Sequence, residues 1–222
     1  MGVALRSVRP AVLVVLLSAA GLHNGYGGQS VLLAVTGRDG QPAADVALYL
    51  ADVHTPLAKQ GSPVVDQRGE AFVPAVTVVP LDSDVEFINS DLTSHHVYSF
   101  SKPNSFELPL YKGNARLRTH FSKPGVVVLG CNIHDSMLGY VVVVDSTRSG
   151  VTGPDGRLTL PDVPAGRHAV RAWAPGLDRV NPPELGVVEV GGTAPASASF
   201  QLDVAGAARG PQQRGSLAGS DY

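Results

Sequence analysis

The chain has 222 residues, with 17 Lys+Arg against 19 Asp+Glu, a formal net charge of −2 and only 16% charged residues. It carries no basic run suited to nucleic acid and no acidic block suited to a solvating tail, so those partner classes fall away. Its 25 glycines and 17 prolines, without long helical periodicity, point to short strands and many turns in one or two cored domains.

Residues 1–27 read as an export signal. Arg6 and Arg9 supply a positive start, residues 11–20 a short apolar core, and Ser18-Ala19-Ala20 small residues for cleavage. The apolar stretch falls short of the about 20 residues a bilayer span takes, so no membrane span is expected after removal. The two arginines are not adjacent, which argues against a twin-arginine signal. Export of this kind implies a periplasmic protein.

Residues 30–36 form a β-rich run that ends in Gly37-Arg38-Asp39-Gly40-Gln41-Pro42, which is turn chemistry. Residues 45–50 alternate Val46, Leu48 and Leu50, so 28–60 is expected to hold a β-hairpin. From 61 to 146 strands are expected at 64–66, 76–79, 84–88, 95–101, 106–110, 116–121, 125–131 and 140–145. Such regular spacing between turn signals argues for an all-β sandwich. Residues 126–129 and 141–144 are apolar on both faces, as in strands buried mid-sheet. Residues 147–204 change character, with turns at 152–156 and 163–166 and strands expected at 157–160, 168–173, 187–190 and 196–202. Residues 205–222 are Gly, Ala, Gln, Ser and Arg in the main and read as disordered.

The chemistry concentrates at Cys131, the single cysteine, which opens Cys131-Asn132-Ile133-His134-Asp135-Ser136-Met137 between two valine-rich strands. Upstream, His95-His96 begins another apolar strand. Two imidazoles, a thiolate and a weak axial thioether are the donor set of a mononuclear electron-transfer copper site. A lone thiol in an oxidising compartment is an oxidation hazard that ligation would remove. Zinc is the poorer match, because its structural sites usually carry more cysteines and a catalytic one needs a carboxylate or base nearby. A Cys-His nucleophile lacks a helix start or third orienting group. His54, His120 and His168 have no ligand-type neighbours in sequence, and Trp173 reads as a core residue of the C-terminal sandwich.

The run Cys131-x-x-His134-x-x-Met137-x-Gly139-Tyr140-Val141, with Phe121-x-x-Pro124-Gly125 ahead of it, resembles the copper loop of cupredoxins. Its short spacing resembles the plastocyanin/amicyanin group, of the bacterial methylamine-utilisation type. Phe87-x-Asn89-x-Asp91-x-x-x-His95-x-Val97 is similar to the strand and loop that deliver the first histidine of that family. The resemblance implies a Greek-key sandwich over 61–146 and one type 1 copper ion held by His95, Cys131 and His134, with Met137 axial. It also implies that His134 is the partly exposed ligand, with Ile133 and Leu138 forming a docking patch. Strand alternation alone leaves His95 and His96 both open. The family pattern favours His95 and makes His96 a partner that orients the ligand.

Residues 31–50 and 152–173 resemble the opening and later strands of carboxypeptidase-regulatory-like (transthyretin-like) modules. This implies a small β-sandwich interrupted by the copper domain, with an N-terminal extension plus a C-terminal appendage as the alternative. The expected function is a one-electron carrier, not an enzyme, serving unidentified redox protein partners. A copper-holding or delivery protein is one alternative, weakened by a count of only two methionines. A partner-binding β module with a vestigial site is the other.

Overall fold

The computed structural model of the chain describes residues 28–51, 53–55, 61–102 and 104–204. The expected signal at 1–27 and tail at 205–222 lie outside the described residues. Within them every regular element is a strand, sixteen in all, as the all-β reading requires. No helix there is long and apolar enough to cross a membrane.

The hairpin expected within 28–60 does not form. β1 (Gln29–Thr36) alternates Val31, Leu33 and Val35 onto a buried face. It lies between β13 (Arg157–Val163), antiparallel, and β16 (Ala196–Gln201), parallel. β2 (Ala47–Leu50) lies in the opposite layer, between β12 (Ser149–Val151) and β14 (Gly166–Trp173), with β15 (Glu184–Val190) at the edge. The turn after β1 closes locally, Gly37 N–H donating to the Gln41 carbonyl at 2.8 Å. The chain then crosses the core instead of folding back. Buried Thr152 anchors that crossing, accepting from Val46 N–H at 3.0 Å and donating to the Ala43 carbonyl at 2.7 Å. A distant residue thus satisfies the polar groups that a hairpin ladder would have satisfied locally. Leu33, Leu48, Leu50, Leu160, Val170 and Val188 fill the space between the two layers.

A second sandwich occupies the middle of the chain. One layer runs β4 (Phe72–Val73), β3 (Val64–Gln67), β6 (Ser83–Asn89) and β9 (Arg116–Phe121). The other runs β5 (Val76–Pro80), β11 (Leu138–Val144), β10 (Gly125–Cys131), β7 (Val97–Ser99) and β8 (Phe106–Glu107). Phe87, Phe121, Val127, Leu129, Val141 and Val143 pack between them, each large aliphatic side chain contributing about 1.5–3 kcal/mol by its burial. β4 and β12 go beyond the strands expected from the sequence. The strand expected at 95–101 shortens to Val97–Ser99, because His95 makes only an isolated bridge with Tyr111.

The two-sided apolar character of β10 and β11 has a specific cause. Their inward residues line the sandwich core, while Val126, Val142 and Val144 face Ala47 and Trp173 of the other sandwich. Trp173 packs against Tyr140 with ring centroids 4.9 Å apart and the rings tilted by 56°. Its burial is therefore at the junction rather than inside its own sandwich. The described parts of the two crossovers between the sandwiches, 53–55 and 145–148, run side by side. Thr147 N–H donates to the Val53 carbonyl at 2.8 Å, and buried Arg148 donates to the Thr55 and Asp162 carbonyls at 2.7–3.0 Å.

Candidate metal centre

At one end of the second sandwich, β10 ends on Cys131 and β11 begins at Leu138, so the six residues 132–137 form a short loop between two buried strands. Met137 N–H donates to the His134 carbonyl at 3.0 Å, and Asn132 N–H to the His96 carbonyl at 3.1 Å. These bonds tie the loop to itself and to the segment that carries His95. Gly130 leaves room for Tyr98 across the strand pair: a Cβ there would stand 2.8 Å from the tyrosine ring.

His95 is fixed from several sides. Its N–H and carbonyl both pair with Tyr111 at 3.0 Å. The preceding loop winds around Asn89, whose side-chain amide donates to Thr93 and Tyr111 carbonyls at 2.9 and 3.1 Å and whose oxygen accepts Asp91 N–H at 2.9 Å. Asp91 Oδ2 stands 2.9 Å from His95 Nε2. Burial pushes the Asp91 carboxyl up, but the Glu70 and Gly69 amides and His95 itself outweigh it, and it lies below the usual carboxylate range. Behind His95, the Gln67 side-chain amide donates to the Tyr111 hydroxyl. Burial drives that phenol up to about 12, so it stays neutral at any physiological pH.

With its Nε2 held by a carboxylate, the proton of neutral His95 sits there and Nδ1 is left as a bare acceptor. That Nδ1 is 3.3 Å from His134 Nδ1 and 3.6 Å from Cys131 Sγ. The three ligand atoms of His95, Cys131 and His134 all lie within 4.8 Å of one another. His95 and Cys131 are buried and Met137 is 3% exposed, whereas the His134 side chain is 20% exposed. Nitrogen lone pairs and a sulfur converging on one point repel each other unless a proton or a metal ion stands between them. Those separations are short enough for one ion to be shared by all three side chains, so the residues fit a metal ion where they stand. Two imidazoles and one thiolate, with a methionine buried in the same core cluster as the cysteine, suit copper better than the cysteine-richer zinc sites.

His95 and His96 part at the alternation of the strand. His95 turns inward, while His96 turns outward with Nε2 3.0 Å from Glu107 and its ring beside Tyr98. His96 touches Glu107 rather than His95, and it is Asp91 that meets the far nitrogen of His95. Met137 lies in the same core cluster as Cys131. Ile133 and Leu138 are exposed near the loop, and Leu92 and Leu110 are also exposed. The other described histidines stand apart: His54 beside Asp145, His120 beside Asp84, His168 bonded to the Pro164 carbonyl. Glu70 and Gln67 are polar groups around the centre that sequence reasoning did not single out, and Asp91 entered only as part of the motif ahead of His95, with no role of its own. The i, i+4 spacing of Asp91 and His95 was the available signal for one.

No protein-family model matches the chain, and a search of curated proteins found no match. Solved structures are similar to part of it. A copper-containing nitrite reductase from Thermus scotoductus SA-01 is 27% identical over 43% of this chain, with a TM-score of 0.37. The chain spans 25% of that enzyme's length. A purple cupredoxin from Nitrosopumilus maritimus is 19% identical over 37% of this chain and 100% of its own, with a TM-score of 0.35. A reduced Cu(I) form of an amicyanin variant is 21% identical over 44% of this chain and 98% of its own, with a TM-score of 0.36.

Proposed function

We propose that this chain is an exported type 1 copper protein that carries single electrons between redox proteins in the periplasm. The observation that carries the reading is the convergence of His95 Nδ1, His134 Nδ1 and Cys131 Sγ on one ion-sized space. In this reading His95, Cys131 and His134 would hold the ion and Met137 would add a thioether sulfur. A bound copper would contribute a one-electron couple that changes its surroundings little between oxidation states. The chain's part is rigidity and exclusion of water. His95 is clamped by Asp91 and Tyr111, and Cys131 and Met137 are buried. His134, the most exposed of the four, offers the edge at which a partner would approach, with Ile133 and Leu138 as apolar surroundings.

The short Cys-x-x-His-x-x-Met loop supports the finer reading, a cupredoxin of the methylamine-utilisation type acting as a carrier rather than an enzyme. For the terminal sandwich we read a transthyretin-like module interrupted by the copper domain. The pairing of β1 and β2 with β12, β13, β14 and β16 supports this.

The test is titration of the exported protein with cupric salt, followed by visible absorption and electron paramagnetic resonance. One equivalent should develop an intense thiolate-to-copper band and an axial or rhombic copper signal. A colourless, magnetically silent product would sink the reading.

A further inference from the structure

Each imidazole of the centre has a carboxylate at its far nitrogen, and one two-residue turn joins the two carboxylates. Asp91 Oδ2 is 2.9 Å from His95 Nε2, and Glu70 Oε1 is 3.6 Å from His134 Nε2. Asp91 also gathers the turn that carries Glu70. Its Oδ1 accepts Gly69 N–H at 2.7 Å and its Oδ2 accepts Glu70 N–H at 3.0 Å. The turn links β3 to β4, with Arg68 N–H donating to the Ala71 carbonyl at 3.0 Å. Both its central residues are left-handed, Gly69 at φ 63° and Glu70 at φ 55°.

That geometry suits Asn-Gly or Gly-Gly, and a glutamate at the second position is disfavoured on backbone grounds. A residue kept in a strained conformation invites a functional reading when its side chain also meets a site. Here the side chain stands over the outer histidine, at the rim of a shallow depression of about 450 Å³ lined by Gly69, Glu70, Asp91, Leu92 and Thr93. The Glu70 side chain is 57% exposed and its distance is too long for a hydrogen bond, so its leverage is electrostatic.

We infer that Glu70 is a positioning residue for His134: its carboxylate, carried on a turn whose backbone Asp91 latches, draws the ring proton to Nε2 and leaves Nδ1 free for the metal. The inference rests on the copper reading above, since only a metal gives Nδ1 something to bind. Its electrostatic side has a second consequence. A negative charge beside an outer ligand favours the more highly charged oxidised ion, so removing it should raise the reduction potential.

The experiment compares the full chain with Glu70→Gln, which keeps size but not charge, and Glu70→Asn, which tolerates the left-handed backbone and so protects folding. In metal-free protein, nitrogen NMR of the histidine rings should show His134 protonated at Nε2 in the wild type. In both variants the other tautomer should rise at least about twofold. After copper loading, the oxidised-to-reduced ratio at fixed poise should fall about threefold in both variants. A His134 ring unchanged across the three chains overturns the inference, as does a potential that moves in neither variant. A wild type that binds no cupric ion sinks the copper reading instead. The tautomer comparison stands apart from that result because it is made without metal.

Discussion

In the terminal sandwich the buried polar side chains Ser146, Arg148 and Thr152 direct their donors to main-chain carbonyls: Ser146 to Leu50, Arg148 to Thr55 and Asp162, Thr152 to Ala43. In the middle sandwich His95 and Cys131 are buried as deeply, but His95 Nδ1 and Cys131 Sγ turn toward each other and toward His134. The first arrangement closes the hydrogen-bond account of the crossovers and fastens them. The second leaves donor atoms converging where a cation would satisfy them. Burial of polar groups therefore does not by itself mark a site. What marks it is where the lone pairs point.

Four substitutions break or sharpen that contrast. The largest effect belongs to Cys131→Ser, which should abolish the intense visible band of the copper-loaded protein. Persistence of the band would remove the cysteine from the ligand set and dissolve the contrast. Next, Trp173→Ala should destabilise the chain by about 3–5 kcal/mol in urea unfolding, because it empties the junction packed on Tyr140. Its copper spectrum should match the wild type. A bleached spectrum would mean that the two sandwiches are not separable in role.

Met137→Leu should keep copper and raise the potential, since a weak donor to the oxidised ion is lost. Each tenfold change in the one-electron equilibrium reads as about 59 mV, and an unmoved potential would take Met137 out of the axial position. The smallest effect is expected at Glu86, a buried carboxylate of the middle sandwich that is structural rather than metal-directed. Hydrogen bonds from Arg116 and Arg118 hold it below the usual carboxylate range. A folded value below the unfolded one stabilises the fold above the ordinary carboxylate pKa, and that share is lost as pH falls through the depressed value. Glu86→Gln should flatten the acid side of the stability profile below about pH 4.5. An equally steep decline in the variant would show that the pair contributes nothing.

Much of the architecture was legible because strands of this chain announce themselves by alternation and turn residues. β1, β6, β9, β10 and β14 fall close to where Val31-Leu33-Val35, Val85-Phe87 and their counterparts indicate. The hairpin of β1 and β2 was misread because local turn chemistry at Gly37 to Pro42 says that the chain reverses, not which layer it enters. β4 and β12 are too short, at 2 and 3 residues, to carry a period. At the centre, Cys131, His134 and Met137 could be seen as a spaced set on one loop. Glu70 could not, since it lies 64 positions from His134 and meets it only through a turn whose left-handed backbone no pattern in the sequence displays.

The amino-acid order alone determined the all-β class and the donor types available, because side-chain alternation and ligand chemistry are properties of short stretches. Only the tertiary structure decided that His95 rather than His96 faces Cys131. The strand pleat sends neighbouring side chains to opposite faces, and which face is inward depends on what packs there. It also decided that β10 and β11 are covered on both sides, since the second cover comes from strands at the two ends of the chain. Finally, it decided which carboxylates stand behind the imidazoles, because a contact across a sheet end depends on register and turn geometry that no local pattern carries.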